Sequence, residues 1–161
     1  MPDDSYGGAA ESPGVWQVLD FNVEQTVTLV GLDGLPTGVT ISSPLPFGPA
    51  FTLHDGPSGD DEKLLEDYLD LHSTPVTLEV VGLAAGRYRV FTYAWAPDDE
   101  RYVTLVSIND DNWALGGPWP GHLEPFVTHA LHEVDIAEGA PLAISVFGVD
   151  KGTLNGLQIV R

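Results

Sequence analysis

The chain contains no cysteine among its 161 residues. That absence excludes disulfide staples, thiol nucleophiles and Cys-ligated zinc or iron–sulfur sites. Positive charge is almost as scarce: six Lys and Arg stand against 24 Asp and Glu, a formal net charge of −18. Such a surface repels phosphate backbones and anionic lipid, so nucleic-acid partners and membrane-surface attachment are not expected. No apolar run is long enough to cross a bilayer, and no basic segment leads into an apolar one as a secretion leader would. The sequence also lacks a G-x-S-x-G elbow, a phosphate-binding loop, a dinucleotide fingerprint and an EF-hand loop. With no serine in a recognisable nucleophile context, the expectation is a protein that is not an enzyme.

Turn formers and strand formers dominate what is there. The 18 glycines and 13 prolines punctuate runs rich in Val, Thr, Leu, Ile and aromatics, the pattern of many short strands. At 161 residues and 43% hydrophobic, the chain suits one domain with a full core. Residues 1–14, MPDDSYGGAAESPG, are small, polar and turn-rich and read as a flexible lead; residues 15–161 read as the domain. Strands are expected at VWQVLDFNV, QTVTLVGL and TGVTISS, followed by the irregular stretch SPLPFGPAFTLHDGPSG. DDEKLLEDYLDLH reads as the one helix. Asp60 or Asp61 caps it, acids fill its first turn, and Leu64, Leu65, Tyr68 and Leu69 recur at helical spacing. The strand-like runs PVTLEVVGL, RYRVFTYAW, RYVTLVSIN, FVTHALHEVDI, PLAISVFGV and TLNGLQIV follow, joined by hairpin-like links. The expected fold is all-β: a two-sheet antiparallel β-sandwich, or jelly roll, with one short helix.

If successive strands run antiparallel, the turn at 82–87, the loop at 109–125 and the turn at 149–152 share one end of the sandwich. The 96–101 loop and the 137–141 turn share the other. The long loop then presents Trp113 and Trp119 beside Asp110, Asp111, Asn112 and His122, with Asp150 and Lys151 at the same end. Exposed indoles stack on the apolar faces of sugar rings, while carboxylates, amides and imidazole orient the hydroxyls. The competing reading is a loop pinned onto the sandwich by its own tryptophans. In RYRVFTYAW, Tyr88, Val90, Thr92 and Ala94 fall on one face and Arg89, Phe91, Tyr93 and Trp95 on the other. Tyr93 and Trp95 belong either to an exposed stacking stripe or to a core face with Arg89 at its rim. HALHE puts His129 and His132 three apart, on opposite faces of a strand, so they do not chelate one ion together. Metal ligands stay unassigned, although NDDN, PDDE, GDDE and VDKG offer oxygen donors from several loops for a structural calcium.

Four phrases occur in order: DGLPTGVTIS, DDEKLLEDYLD, VTLEVVGLAAGRYRVFTYAWAPDD and GTLNGLQIV. This order resembles secreted jelly-roll modules of the galactose-binding-like type, common in extracellular proteins of planctomycetes and other aquatic bacteria. The resemblance spans roughly residues 15–161. It implies a non-catalytic, lectin-like carbohydrate-binding module, secreted or at the cell surface, with a polysaccharide or other glycan as partner. Some relatives of the fold carry a structural calcium; the paired-Glu pattern of the first strand is missing here, with only Asp20 and Glu24 near its place. Two other classes stay open. One is a structural or assembly module of a surface layer, filament or capsid, burying Phe91, Tyr93 and Trp95 against a protein partner or another copy. The other is a polysaccharide hydrolase or lyase built on two of the carboxylates.

Overall fold

The computed structural model describes residues 1–51, 56–72, 74–96 and 98–161. Its strands, in chain order, are β1 (Thr26–Val30), β2 (Pro36–Ser42) and β3 (Pro49–Phe51), then β4 (Asp67–His72), β5 (Val76–Val81) and β6 (Gly86–Tyr93). They continue as β7 (Thr104–Ile108), β8 (Asp111–Leu115), β9 (His129–Ile136), β10 (Leu142–Gly148), β11 (Gly152–Leu154) and β12 (Gly156–Val160). One short helix, α1 (Asp60–Leu65), precedes β4. Alternation explains the strands: in β5 and β10 Val, Leu and Ile at every second position are buried with more exposed residues between, and in β9 Val134 and Ile136 alternate with exposed Glu133 and Asp135.

A six-stranded antiparallel sheet, ordered β1-β2-β5-β10-β7-β8, faces two three-stranded sheets, β12-β6-β9 and β11-β4-β3. The main core lies between them. It takes Ile41, Leu78, Val80, Val106, Ile144 and Val146 from the large sheet, and Tyr88, Val90, Ala94, Ala130, Val134, Leu69 and Leu154 from the opposing pair. The all-β sandwich with one short helix is therefore what the chain builds.

A second core covers the opposite face of β6, where Phe91, Tyr93 and Trp95 are packed by Ala10, Leu64 and Leu65, with Tyr6, Ala9, Trp16, Trp119 and Leu131 at the margin. Here the flexible lead gives way to an anchored segment. The Ala9 amide donates to the Tyr93 hydroxyl (2.7 Å), Gln158 Nε2 donates to the Gly7 carbonyl (3.0 Å), and Tyr6 donates its hydroxyl to Asp61. A few well-placed apolar side chains achieve this without any periodic signal. The run 15–23, expected as a strand, is an irregular strap on the β1–β2 hairpin. Val15 donates to Leu32 O (3.0 Å), and the Gln17 side chain bonds Thr28 O and Val30 N in place of a backbone ladder.

The helix is half as long as its pattern suggested. Leu69 and Leu71 also satisfy period two, and pairing of 67–72 with β3 and β11 takes that stretch into a sheet. Gly59 occupies the N-cap with no side-chain bond, while Asp60 instead accepts from Asp3 N (3.0 Å) and pairs with Lys63 (2.8 Å). Within the irregular stretch 43–59, residues 52–55 lie outside the described residues.

Candidate functional site

The loop expected at 109–125 contains a strand. Ile108 pairs with Asp111 across the two-residue turn Asn109–Asp110, both at positive φ (52° and 65°). Such left-handed pairs match the twist of a tight hairpin, and Asn and Asp tolerate that conformation. The extra strand reverses the chain and regroups the ends of the sandwich. The Asn109–Asp110 turn joins the links at 82–85 and 137–141. The 116–128 segment goes to the other end, with 94–103 and 149–151. There Lys151 Nζ meets Asp98 (3.2 Å), Val149 donates to Val103 O (3.0 Å) and Trp95 Nε1 donates to Gly117 O (2.9 Å). Asp150 and Lys151 are thus separated from Asp110, Asp111 and Asn112, because the strand count between them changed by one. Pro97, in the 96–101 loop, lies outside the described residues.

The two tryptophans of this region go to different places. Trp119 is half-buried and lies against Trp95 (ring centroids 5.7 Å apart), sealing the second core. Tyr93 and Trp95 are 0% and 1% exposed, so neither forms a surface stripe. The physical reason is the anchored segment 6–16 with α1, which covers the aromatic face of β6. Burial also holds the Tyr93 phenol well above its ordinary range. His122 is exposed, 4.0 Å from Glu124 Oε2.

Trp113, on β8, is half-buried against the main core, and its outer face carries a ring that sequence reasoning missed. Phe126 stacks flat on the indole, with centroids 4.0 Å apart and planes 9° from parallel. Phe126 is nevertheless 61% exposed, so its outward face is open to solvent. Its backbone sits at φ 66°, a conformation that disfavours any residue bearing a Cβ. The surrounding turn imposes it. Phe126 N donates to His129 O (3.1 Å), while Val127 N and Thr128 N donate to Glu124 O (3.2 and 2.9 Å). The Thr128 hydroxyl accepts from Glu124 N (2.8 Å). The one available signal was Pro125-Phe126, a large aromatic after a proline at the end of a loop; it was absorbed into the following strand.

Polar groups frame this two-ring platform. Trp113 Nε1 donates to Asp111 Oδ2 (3.2 Å), and Asn112 Nδ2 donates to Asp110 O (2.7 Å). Beneath it His132, 1% exposed, tilts against Trp113 at 5.8 Å and places Nε2 3.0 Å from Asp111 O. His129 faces the other way, against Phe91 and Tyr93, with Nδ1 3.1 Å from the Thr128 hydroxyl. Burial depresses its pKa to about 4. The structure thus places Asp111 at the edge of the Trp113–Phe126 pair, on the same face of β8 as Trp113, while Asn112 falls on the other face of the strand, Asp110 lies in the turn beyond it, and Trp119, His122, Tyr93 and Trp95 lie elsewhere.

The oxygen-rich runs are engaged locally: Asp60 with Lys63, Asp98 with Lys151, Asp99 with Arg101. Among the described residues no three His, Asp or Glu side chains gather into a metal cage. Nor is any described helix long and apolar enough to cross a membrane. A cleft of about 540 Å³ opens on the far side of the sandwich, between β1–β2 and β12, lined chiefly by apolar side chains such as Leu29, Val39, Leu157 and Ile159.

No family model and no curated protein matches this sequence. Several solved structures are similar to it at a low level. An exo-β-1,3-galactanase from Phanerochaete chrysosporium is similar at 14% identity and a TM-score of 0.40, over 70% of this chain and 26% of that one. This chain therefore spans about a quarter of the galactanase. The C-terminal CBM6 of a laminarinase from Zobellia galactanivorans aligns at 8% identity and 0.37, over 70% of this chain and 88% of the module. A CBM35 from Cellvibrio japonicus aligns at 14% identity and 0.38, over 77% and 94%. At these identities and TM-scores the similarity assigns neither a family nor a role.

Proposed function

We propose that this protein is a non-catalytic carbohydrate-binding module that holds a sugar ring on the face of Phe126. The observation that carries the reading is the Phe126–Trp113 stack: a ring 61% exposed, held in a left-handed backbone and backed by an indole. A side chain kept in water on a disfavoured backbone, by a turn that positions it, is built to touch something. Flat apolar faces suit sugar C–H surfaces, and the Asp111 carboxylate, bonded to the edge of the indole, can orient hydroxyls. Binding on an exposed ring with no enclosing wall fits a module that recognises a long polymer at a cell surface or outside the cell.

The assembly reading loses the surface it named, since Phe91, Tyr93 and Trp95 are buried inside their own chain. A hydroxyl–imidazole pair, Thr128 and His129, is 0% and 3% exposed and out of reach of a polymer. The test is a screen against plant and marine polysaccharides, in calcium and again in chelator, with Phe126→Ala alongside. Binding by the natural protein that Phe126→Ala removes, with the melting temperature unchanged, supports the reading. Binding that survives the substitution sinks it. The calcium arm settles whether the acidic loops take part.

A further inference from the structure

The chemistry around Phe126 restricts which glycan it takes, given that the platform is a glycan site. The donor at the edge of the rings, Trp113 Nε1–H, is taken by Asp111 (3.2 Å), and Asn112 lies on the other face of β8 with its Nδ2 on Asp110 O (2.7 Å). The Asp111 carboxylate keeps its other oxygen and more than half of its side chain in solvent. Glu124 and His122, on the neighbouring turn, lie 4.0 Å from each other. The chain's cations are engaged elsewhere. Lys63 pairs with Asp60, Arg87 with Glu133, Arg101 with Asp99 and Lys151 with Asp98; Arg89 lies over Phe91 and Arg161 over Tyr88. The platform therefore offers acceptors and negative charge.

We infer that the platform selects uncharged, hydroxyl-bearing sugars and rejects uronate- and sulfate-bearing glycans. A sugar hydroxyl donates to Asp111 and also accepts, so it fits an acceptor rim. A uronate or sulfate group only accepts, and would be desolvated against carboxylates with no Lys or Arg to meet it.

The experiment is titration calorimetry at pH 8 and about 0.15 M salt, where an ordinary histidine is neutral and long-range repulsion is screened. The uncharged probes are galactan, β-glucan and xylan; the anionic probes are alginate, pectate and carrageenan. The natural protein is compared with Phe126→Ala and Asp111→Asn, each checked for an unchanged melting temperature. Expected are binding of at least one uncharged polymer, a loss of about tenfold or more in Phe126→Ala, a weaker loss in Asp111→Asn, and no binding of the anionic polymers. An anionic polymer bound by the natural protein and released by Phe126→Ala overturns the selectivity while leaving the glycan site intact. Binding of no polymer, or binding indifferent to Phe126, removes the glycan site and the selectivity with it.

Discussion

Phe126 and Trp113 touch over a whole ring face, yet their removal has different consequences. Trp113 packs on the main core, so Trp113→Ala should cost about 2–3 kcal/mol, read by urea denaturation. Phe126 stacks on Trp113 and is 61% exposed, and Phe126→Ala should stay within about 0.5 kcal/mol. Because Phe126 sits at φ 66°, Phe126→Gly should exceed Phe126→Ala in stability by about 1 kcal/mol while binding no better. Equal stabilities would mean that the left-handed backbone relaxes once the ring is gone. His129 supplies the pH signature. Its pKa is depressed to about 4 by burial, so between the ordinary histidine value near 6.5 and about 4 the unfolded chain binds the proton and the folded chain does not. Its contribution to stability is complete above that window and falls with acidification through it, by at most ~1.4 kcal/mol per pH unit. Denaturation midpoints at pH 7, 5.5 and 4.5 should show this slope, reduced in His129→Gln.

At the scale of elements, Asn155 is the joint. It lies between β11 and β12 and donates its amide to Tyr93 O (2.8 Å). Its side chain accepts from Trp95 N (2.6 Å) and donates to Leu65 O (2.6 Å). One residue thus ties the end of β6, the end of α1 and the break in the closing strand. Gly156 follows it closely packed: a Cβ there would sit 2.8 Å from Leu64 Cδ1 and would require that side chain to shift. Asn155→Ala leaves a buried amide and carbonyl unpaired and should cost about 2–4 kcal/mol; a loss under 1 kcal/mol in thermal or urea melts would show that water replaces it. The motif LNGLQIV was legible as a fold signature, and its physical content is this joint. Alternation along 88–95 was equally legible, since Tyr88, Val90 and Ala94 enter one core and Phe91, Tyr93 and Trp95 another. Three features were hidden. Leu64, Leu65, Tyr68 and Leu69 fit helical spacing while Leu69 and Leu71 fit period two, so the sequence does not mark where α1 ends and β4 begins. Asn109–Asp110 is a hairpin turn without glycine, so β8 read as loop. Tyr6, Ala9 and Ala10 anchor the first segment one by one, and isolated contacts leave no pattern. Trp113 and its polar neighbours could be nominated from composition; Phe126 could not, because its exposure is a property of the turn that holds it.

For the whole molecule, the −18 charge is a destabilising term that salt relieves. At low salt the carboxylates repel one another across the surface, and ordinary ionic strength screens that repulsion beyond ~8–10 Å. Raising sodium chloride from about 0.02 to 0.5 M should lift the melting temperature by several degrees; a flat response would mean that the local pairs already neutralise the surface field. The contact between Gly7 and Gln158, which lie 151 positions apart, also sets a timetable. On the ribosome the first segment emerges with nothing to hold it, and the aromatic face of β6 appears while its cover is still untied. β12 is hydrogen-bonded to β6 through five residue pairs and brings Gln158 to Tyr93 and Gly7. The second core therefore closes only once β12 has been made and is free to pair, so this face of the domain completes its fold last. Until then Phe91, Tyr93 and Trp95 are surface, and they are what a chaperone would meet.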